Sequence, residues 1–236
     1  NAILESPKKL RGVIQKELRE IRDAYGVPRR TQLVQEDAGA ALPEEEAHVS
    51  EEALVVLLPG ARIRRMAPKA YNPEQGAGEN PLALLQTATD RRLRFFTNLG
   101  ACCFLPVEEI PETRLNGKPA NLNALIAFEK DEQVVACLEE GECEGQLYFY
   151  TVQGNVKCTQ GSEYNARTRR VAAISLKEGD RLLGVEPARE DSILLITSQG
   201  MSIRFARDTV PEMGRVAAGV KGIRLEAGDH VIFAQQ

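Results

Sequence analysis

Two short apolar runs joined by a glycine turn decide the fold: Ile193-Leu194-Leu195-Ile196-Thr197, then Gly200, then Met201-Ser202-Ile203-Arg204-Phe205. The first run is apolar at consecutive positions, which is typical of a strand covered on both faces. The second run alternates apolar and polar residues, as expected of a strand with one face in the core. Ser198-Gln199-Gly200 between the two runs predicts a β-hairpin.

A second pair of strands is predicted after this hairpin. A Gly-rich basic connection leads from Met213 to Gly222 and is followed by Ile223-Arg224-Leu225 and Val231-Ile232-Phe233. Four short strands in about 45 residues is the size of one propeller blade.

The same unit recurs along the chain. The stretch from Val171 to Leu183 matches the stretch from Val220 to Ile232 at an offset of 49 residues, and a weaker copy begins near Leu125. The hairpin recurs at residues 54–60, 93–100, 147–154 and 193–200. Two motifs that recur in one order at similar spacing indicate a repeat protein rather than chance similarity of β-rich sequence.

Composition restricts the remaining classes. The 236 residues carry a formal net charge of −4, and no apolar run approaches membrane-spanning length or the apolar core of a signal peptide, so we expect a cytoplasmic protein without membrane contact. The five cysteines form no CxxC pair and only two histidines accompany them, so we expect reduced core thiols and no metal site.

The N-terminal residues predict one long helix, at about 7–25. Ser6 is a candidate N-cap before Pro7, and Gly26 ends the helix. Apolar residues recur at helical spacing along one face (Leu10, Val13, Ile14, Leu18, Ile21 and Tyr25). This face either packs beside the repeats or belongs to the end of a longer coiled coil.

An acidic segment separates the helix from the repeats. Residues 36–52 contain seven Asp or Glu residues and no Lys or Arg. The segment is most simply a solvated linker, and the alternative is an acidic regulator that competes with nucleic acid for basic surface.

Basic residues cluster where the repeats recur, and we interpret them as a DNA-binding rim. The alternative is ordinary protection of strand edges by Lys and Arg. One inconsistency concerns Lys157, which alternates out of phase with its counterparts unless a bulge intervenes. The candidates are Arg62, Arg64, Arg65, Lys69, Lys157, Arg167, Arg169, Arg170, Arg204, Arg207, Arg215, Lys221 and Arg224.

Catalytic signals are absent from the sequence. It contains no Walker A, G-x-S-x-G or HExxH pattern, and no glycine fingerprint opens a helix. Tyr148, Tyr150 and Tyr164 fall in or beside apolar runs, so we expect core or rim residues rather than nucleophiles.

Several motifs resemble the C-terminal domain of A subunits of bacterial type IIA topoisomerases. The junction Tyr25-Gly26-Val27-Pro28-Arg29-Arg30-Thr31 is similar to the end of that family's coiled coil. Phe95-Phe96-Thr97-Asn98, Glu109-Ile110-Pro111 and the stretch from Met213 to Ile223 resemble the repeats of the domain. The resemblance runs from about Leu10 to the last residue, with the acidic linker as its gap.

The resemblance implies an all-β fold, a β-pinwheel whose blades exchange strands and whose basic rim bends duplex DNA. We therefore expect a coiled-coil end and junction at 1–30, an entry strand and acidic linker at 31–52, and about four to five blades at 53–236. It also implies that the catalytic tyrosine and its neighbouring arginine lie upstream of Asn1. This part of the enzyme then needs no cofactor, whereas ATP and magnesium, dimerisation of the A subunits and the B-type ATPase subunit involve other domains, in the bacterial cytoplasm at the nucleoid.

One segment separates the two paralogues of that family. Gyrase A subunits carry the basic heptad Q-R-R-G-G-K-G after their first hairpin, and the corresponding place here reads Asn72-Pro73-Glu74-Gln75-Gly76-Ala77-Gly78. Because this segment has no basic residue and contains the acidic Glu74, the chain resembles the A subunits of topoisomerase IV. A divergent gyrase is the alternative, and a propeller-type protein-interaction module is a more distant one.

Overall fold

The computed structural model describes residues 7–27, 50–74, 78–166 and 168–236. The chain divides into two compact units, Asn1–Ala47 and His48–Gln236. Ser6, the predicted entry strand at 31–35 and all of the acidic linker but its last residues lie outside the described residues, so the finer domain division stays a prediction.

The first unit contains helix α1, which spans Pro7–Tyr25 and confirms the helix predicted at 7–25. The backbone N–H of Gly26 donates to Arg22 O at 2.7 Å and closes its last turn. Ile14 and Leu18 on its apolar face are 47% and 60% exposed. That this helix is the end of a coiled coil stays a prediction.

The second unit is built from four hairpins, each made of two short antiparallel strands. The strands are β1 (Glu52–Leu58) with β2 (Arg62–Met66), β4 (Arg92–Thr97) with β5 (Ala101–Pro106), β8 (Gln146–Thr151) with β9 (Asn155–Gln160), and β12 (Ser192–Thr197) with β13 (Ser202–Ala206). The four hairpins predicted from the sequence are therefore confirmed.

Each hairpin is extended by a return strand that pairs with its first strand. The return strands are β3 (Ala83–Ala88), β7 (Val134–Glu139), β11 (Leu182–Pro187) and β15 (Val231–Gln235). Between hairpin and return strand, repeats two to four each send a strap across to the preceding sheet. The straps are residues 111–121, 168–172 and 211–221, and they contain β6 (Ala120–Asn121), β10 (Arg170–Ala172) and β14 (Val220–Lys221).

The strand orders show this exchange directly. They are β3-β1-β2-β6 in the first sheet, β10-β5-β4-β7 in the second, β11-β8-β9-β14 in the third and β13-β12-β15 in the fourth. A strand from the next repeat thus completes each of the first three sheets. This mostly-β architecture, with one long helix among the described residues, confirms the predicted fold class.

One predicted strand is wrong. Ile223–Leu225 does not form a strand, whereas Val220–Lys221 pairs with the third sheet. The N–H of Ile223 donates to Gly154 O at 3.3 Å. This stretch therefore packs against a hairpin turn and does not pair with a strand.

The hairpin turns correct the alignment of the repeats. Ala61 O accepts from Leu122 N at 2.7 Å, just as Gly100 O and Gly154 O accept from the straps that reach them. Ala61 (φ +54°) is therefore the counterpart of these glycines, and Gly60 is not. Arg64 and Lys157 then share one position of the repeat, and no bulge is needed.

Three apolar cores lie between successive sheets. Val55 and Phe95 share the first core, Phe96 and Phe149 share the second, and Tyr150 shares the third with residues of the fourth sheet. The ring centroids of Phe96 and Phe149 lie 5.5 Å apart in an edge-to-face arrangement, a geometry that stabilises aromatic pairs by about 1 kcal/mol.

Buried cations fasten the straps. Arg64, fully buried in β2, donates to Leu115 O of the first strap and to Glu79 Oε1 at 2.7 Å. Lys157, its counterpart in β9, donates to Arg215 O of the last strap and to Ala173 O at 2.8 Å. In the second sheet the cation lies on the strap instead of on the hairpin. Arg170 of the strap donates to buried Glu132 at 2.9 Å.

Replacing Lys157 should change how stability depends on pH. Burial, helped by the nearby Arg215 charge, lowers the pKa of Lys157 from 10.5 to about 7. Between these values the unfolded chain binds more protons than the native chain, so the native state gains stability as pH rises. We expect the unfolding free energy of the parent chain to gain about 1 kcal/mol more between pH 6 and pH 8 than that of Lys157→Met, measured by urea denaturation. Lys118→Met is the exposed control, and equal pH slopes in parent and Lys157→Met would contradict the assignment.

Candidate nucleic-acid interface

The straps place basic residues at one edge of each of the first three sheets. Each strap strand is the outermost strand of its sheet and lies beside the second strand of the hairpin. Arg62 pairs with Asn121 across this edge in the first sheet, and Lys221 pairs with Asn155 in the third. In the first sheet, Arg62 of the first repeat and a strap from the second repeat therefore share one edge.

The predicted site residues fall into four groups. Six are exposed: Arg62, Lys69, Arg169, Arg204, Lys221 and Arg224. Four are half-buried: Arg65, Arg170, Arg207 and Arg215. Arg64 and Lys157 are fully buried. Arg167 lies outside the described residues.

Burial removes Arg64 and Lys157 from the candidate set. Both side chains are 0% exposed and already donate to strap carbonyls, so neither cation can reach a phosphate without breaking the fold. The sequence could not show this, because their burial depends on a strap that arrives from the following repeat.

Two further candidates are held by carboxylates. Arg169 makes a bidentate pair with Glu109 at 2.8 and 2.9 Å, and both side chains remain partly open to solvent. Arg170 pairs with Glu132 and Glu129, and hydrogen bonding to Glu132 is the main cause of its raised pKa. Phosphate would have to compete with these acids, so both arginines are weaker candidates than the exposed group.

The structure adds two bases that the sequence analysis missed. Arg114 and Lys118 are exposed on the first strap, which begins with Pro111-Glu112 just as the last strap begins with Pro211-Glu212. An alignment of these two straps at an offset of 100 residues would have found them. Seven exposed bases lie on a strap, on the second strand of a hairpin or within three residues of one of these, and form no ion pair among the described residues. We call them the basic edge: Arg62, Lys69, Arg114, Lys118, Arg204, Lys221 and Arg224.

The rest of the domain offers little other chemistry. Burial raises the pKa values of Tyr148, Tyr150 and Tyr164, which makes these hydroxyls poor nucleophiles at neutral pH. The five cysteines are buried and unbridged. The described part of the chain contains no cluster of His, Cys, Asp and Glu that could hold a metal ion.

Comparison with known proteins gives a consistent result. Residues 146–189 and 191–236 match the family model described as DNA gyrase C-terminal domain, beta-propeller. The gyrase A protein of Lawsonia intracellularis is 32% identical over 247 residues, covering 98% of this chain and 30% of that protein. The chain is therefore similar to the C-terminal region of DNA gyrase A subunits. The resemblance predicted from the sequence is confirmed.

Solved structures of topoisomerase domains agree with this relationship. The crystal structure of the C-terminal domain of DNA topoisomerase IV superposes with a TM-score of 0.72 at 27% identity, covering 80% of this chain and 62% of that one. The DNA gyrase A C-terminal domain gives a TM-score of 0.56 at 18% identity, with 78% and 64% covered, and supports the fold alone.

The 236-residue chain spans about 30% of the length of the gyrase A proteins that it matches. No helix in the part that the structure describes has both the length and the hydropathy that crossing a membrane requires.

Removing Arg64 should destabilise the domain far more than removing Arg62. Arg64→Ala leaves strap carbonyls and Glu79 without their donor in a buried place, which we expect to cost about 3 kcal/mol of unfolding free energy. Arg62→Ala removes an exposed side chain with one bond to Pro59 O, and the expected cost is below about 1 kcal/mol. Urea denaturation at neutral pH measures the unfolding free energy of both variants. Similar losses would show that Arg64 does not hold the strap in place.

Proposed function

We propose that the repeat domain binds duplex DNA along the basic edge and bends it. The observation that carries this proposal is the placement of exposed Lys and Arg on or next to straps and second hairpin strands, at the corresponding edge of the first, third and fourth sheets. Cations at the corresponding edge of several sheets could contact phosphates at intervals along a bent duplex. The relationship to the A subunits of topoisomerases supports this use of the edge.

Recognition should be independent of base sequence. The longest helix described in the second unit is α2 (Leu122–Leu125), one turn long, so no recognition helix is available there to enter a major groove. Phosphate contacts position a protein on DNA without reading bases.

We propose that the parent protein is an ATP-dependent type IIA topoisomerase whose catalytic residues lie in other domains. It would dimerise through upstream regions and work with a B-type ATPase subunit, which supplies the ATP and magnesium site, in the cytoplasm at the nucleoid. The family of the relatives supports this proposal.

Within that family we propose a topoisomerase IV-like role, decatenation and relaxation, rather than gyrase-like wrapping. The missing basic heptad supports it, since Pro73 and Glu74 occupy the matching place. The superposition on the topoisomerase IV domain also supports it. A divergent gyrase A protein is the second candidate, because the sequence relative from Lawsonia intracellularis is a gyrase.

Binding should weaken steeply with salt. If each of the seven bases of the basic edge neutralises one phosphate, the logarithm of the association constant should fall with the logarithm of salt concentration at a slope of about −6. Gel shifts of unrelated linear duplexes over a salt series measure this slope. A slope near zero, or one that depends on sequence, would contradict the proposal.

Charge reversal at one strap tests the location of the interface. Arg114→Glu with Lys118→Glu should lower duplex affinity by more than tenfold at low salt, equally for all sequences, because two phosphate contacts become repulsive. The matched control reverses two exposed bases just before return strands, Lys130→Glu with Arg181→Glu, and changes the net charge by the same amount. Equal losses of affinity in the two double variants would show that net charge alone causes the effect, and would contradict binding at the basic edge.

A topology assay separates the two paralogues. Chiral wrapping bends a stiff duplex over a long arc at a cost of several kcal/mol, which phosphate contacts must offset. Because Glu74 replaces bases at the matching place, we expect bending without stable wrapping. Relaxed circles incubated with this domain and a nicking-closing enzyme should show little change in linking number. A strong shift of the sign that gyrase produces would reject the topoisomerase IV-like role.

A further inference from the structure

A cavity of about 430 Å³ lies at the turn end of the junction between the first and second sheets. Its volume falls in the range typical of ligand pockets. Apolar side chains form much of its wall: Leu57, Pro59, Ala61, Leu82, Phe128 and Val134. Leu82 at its rim is 60% exposed, so the cavity opens to solvent.

At the next two junctions an isoleucine from the strap side fills the corresponding place. The N–H of Ile174 donates to Gly100 O at 3.3 Å, and a Cβ built on Gly100 would lie 3.1 Å from Ile174 Cγ2. Ile223 stands in the same relation to Gly154, where an added Cβ would lie 2.7 Å from its Cγ2. These turns require glycine because the isoleucine packs directly on them.

The first junction has no such isoleucine. The backbone arrives in the same way, because Leu122 N donates to Ala61 O at 2.7 Å, as Ala173 N does to Gly100 O. The next residue is Asn123, whose N–H is capped by the Asn121 side chain at 3.0 Å as the chain enters α2. Asn123 is exposed, and the turn position carries the methyl group of Ala61 in place of a glycine.

The same junction differs in a second contact. Leu182 N donates to Asn98 O, and Val231 N donates to Val152 O, each at 2.9 Å, so a return strand docks on the turn of the preceding sheet. The equivalent bond would join Val134 to Pro59, and the described residues do not form it. Pro59 O instead accepts from Arg62 Nε at 2.9 Å. The first junction is therefore open at its turn end.

We propose that this cavity binds an aliphatic side chain, isoleucine or leucine, presented by an extended segment of a partner protein. The chain itself carries the complementary form twice, since the backbone that follows a strap brings Ile174 and Ile223 to the equivalent places. Exposed Asp131 belongs to the loop that forms one wall, whereas Glu129 beside it is already paired with Arg170, so the partner segment should carry a basic residue beside its aliphatic anchor.

A peptide copied from this chain provides the probe. Acetyl-Val-Lys-Gly-Ile-Arg-Leu-amide reproduces residues 220–225, in which the isoleucine has basic neighbours. Titrated into the full chain with ¹³C-labelled methyl groups, it should shift the resonances of Leu57, Leu82 and Val134 in a saturable way. The same peptide with Ile→Asn should bind at least tenfold more weakly, because the lost anchor is one buried branched side chain.

A matched pair of variants locates the site. Leu82→Ser removes part of the cavity wall and should weaken peptide binding several-fold. Leu84→Ser removes a neighbouring exposed leucine, 47% exposed and outside the cavity, and should leave binding unchanged. Methyl spectra of the free variants check that both remain folded.

Three results would overturn the proposal. Shifts confined to the Ile203 methyl groups would place the peptide on β13, the edge strand of the fourth sheet. Equal binding of the Ile→Asn peptide would show that charge alone attracts it. Equally tight binding of acetyl-isoleucine methylamide would make the cavity a site for small aliphatic ligands rather than for a protein segment.

Discussion

The structure depends on backbone hydrogen bonds between each strap and the hairpin of the preceding repeat. Because a strap pairs over only two or three residues, its ladder alone holds register weakly. Backbone bridges at Glu112 and Glu212 fix the start of two straps. Buried cations add a further constraint, since a guanidinium or ammonium group that donates to strap carbonyls holds the strap in one position. The first and third sheets provide this cation from β2 and β9, through Arg64 and Lys157. The second sheet has Cys103 at that position and takes its cation from the strap, through Arg170.

The hairpins and the long helix could be predicted because their signals are local. A continuous apolar run before a glycine turn and an alternating run after it specify a hairpin, and an apolar stripe with a terminal Gly26 specifies α1. The straps could not be predicted in the same way, because a strand of two residues has no periodicity. Ile223–Leu225 shows the resulting error. Its alternating apolar residues predicted a strand, but Ile223 packs against the hairpin turn at Gly154.

The exposure of the candidate site residues could not be predicted from the local sequence either. Arg62 and Arg64 are two residues apart in one strand, yet one is exposed and the other is fully buried. Nothing in the local sequence distinguishes them, because the residues that cover Arg64 lie about 50 positions away in the next repeat. The glycine of the first hairpin added to the error, since Gly60 stands one position before the residue that corresponds to Gly100.

Edge protection and phosphate binding make different demands on basic residues, and the straps favour phosphate binding. Protection against strand pairing requires charge on the paired residues of a long, flat edge. The strap strands are too short to template another strand, and Arg114, Lys118 and Arg224 lie outside the paired residues altogether. Bases carried on the irregular parts of a strap do little to block pairing, but they project from the edge where a duplex could approach. The same exchange that completes the first sheet thus also brings Arg62 of the first repeat and Arg114 and Lys118 of the second repeat to one edge.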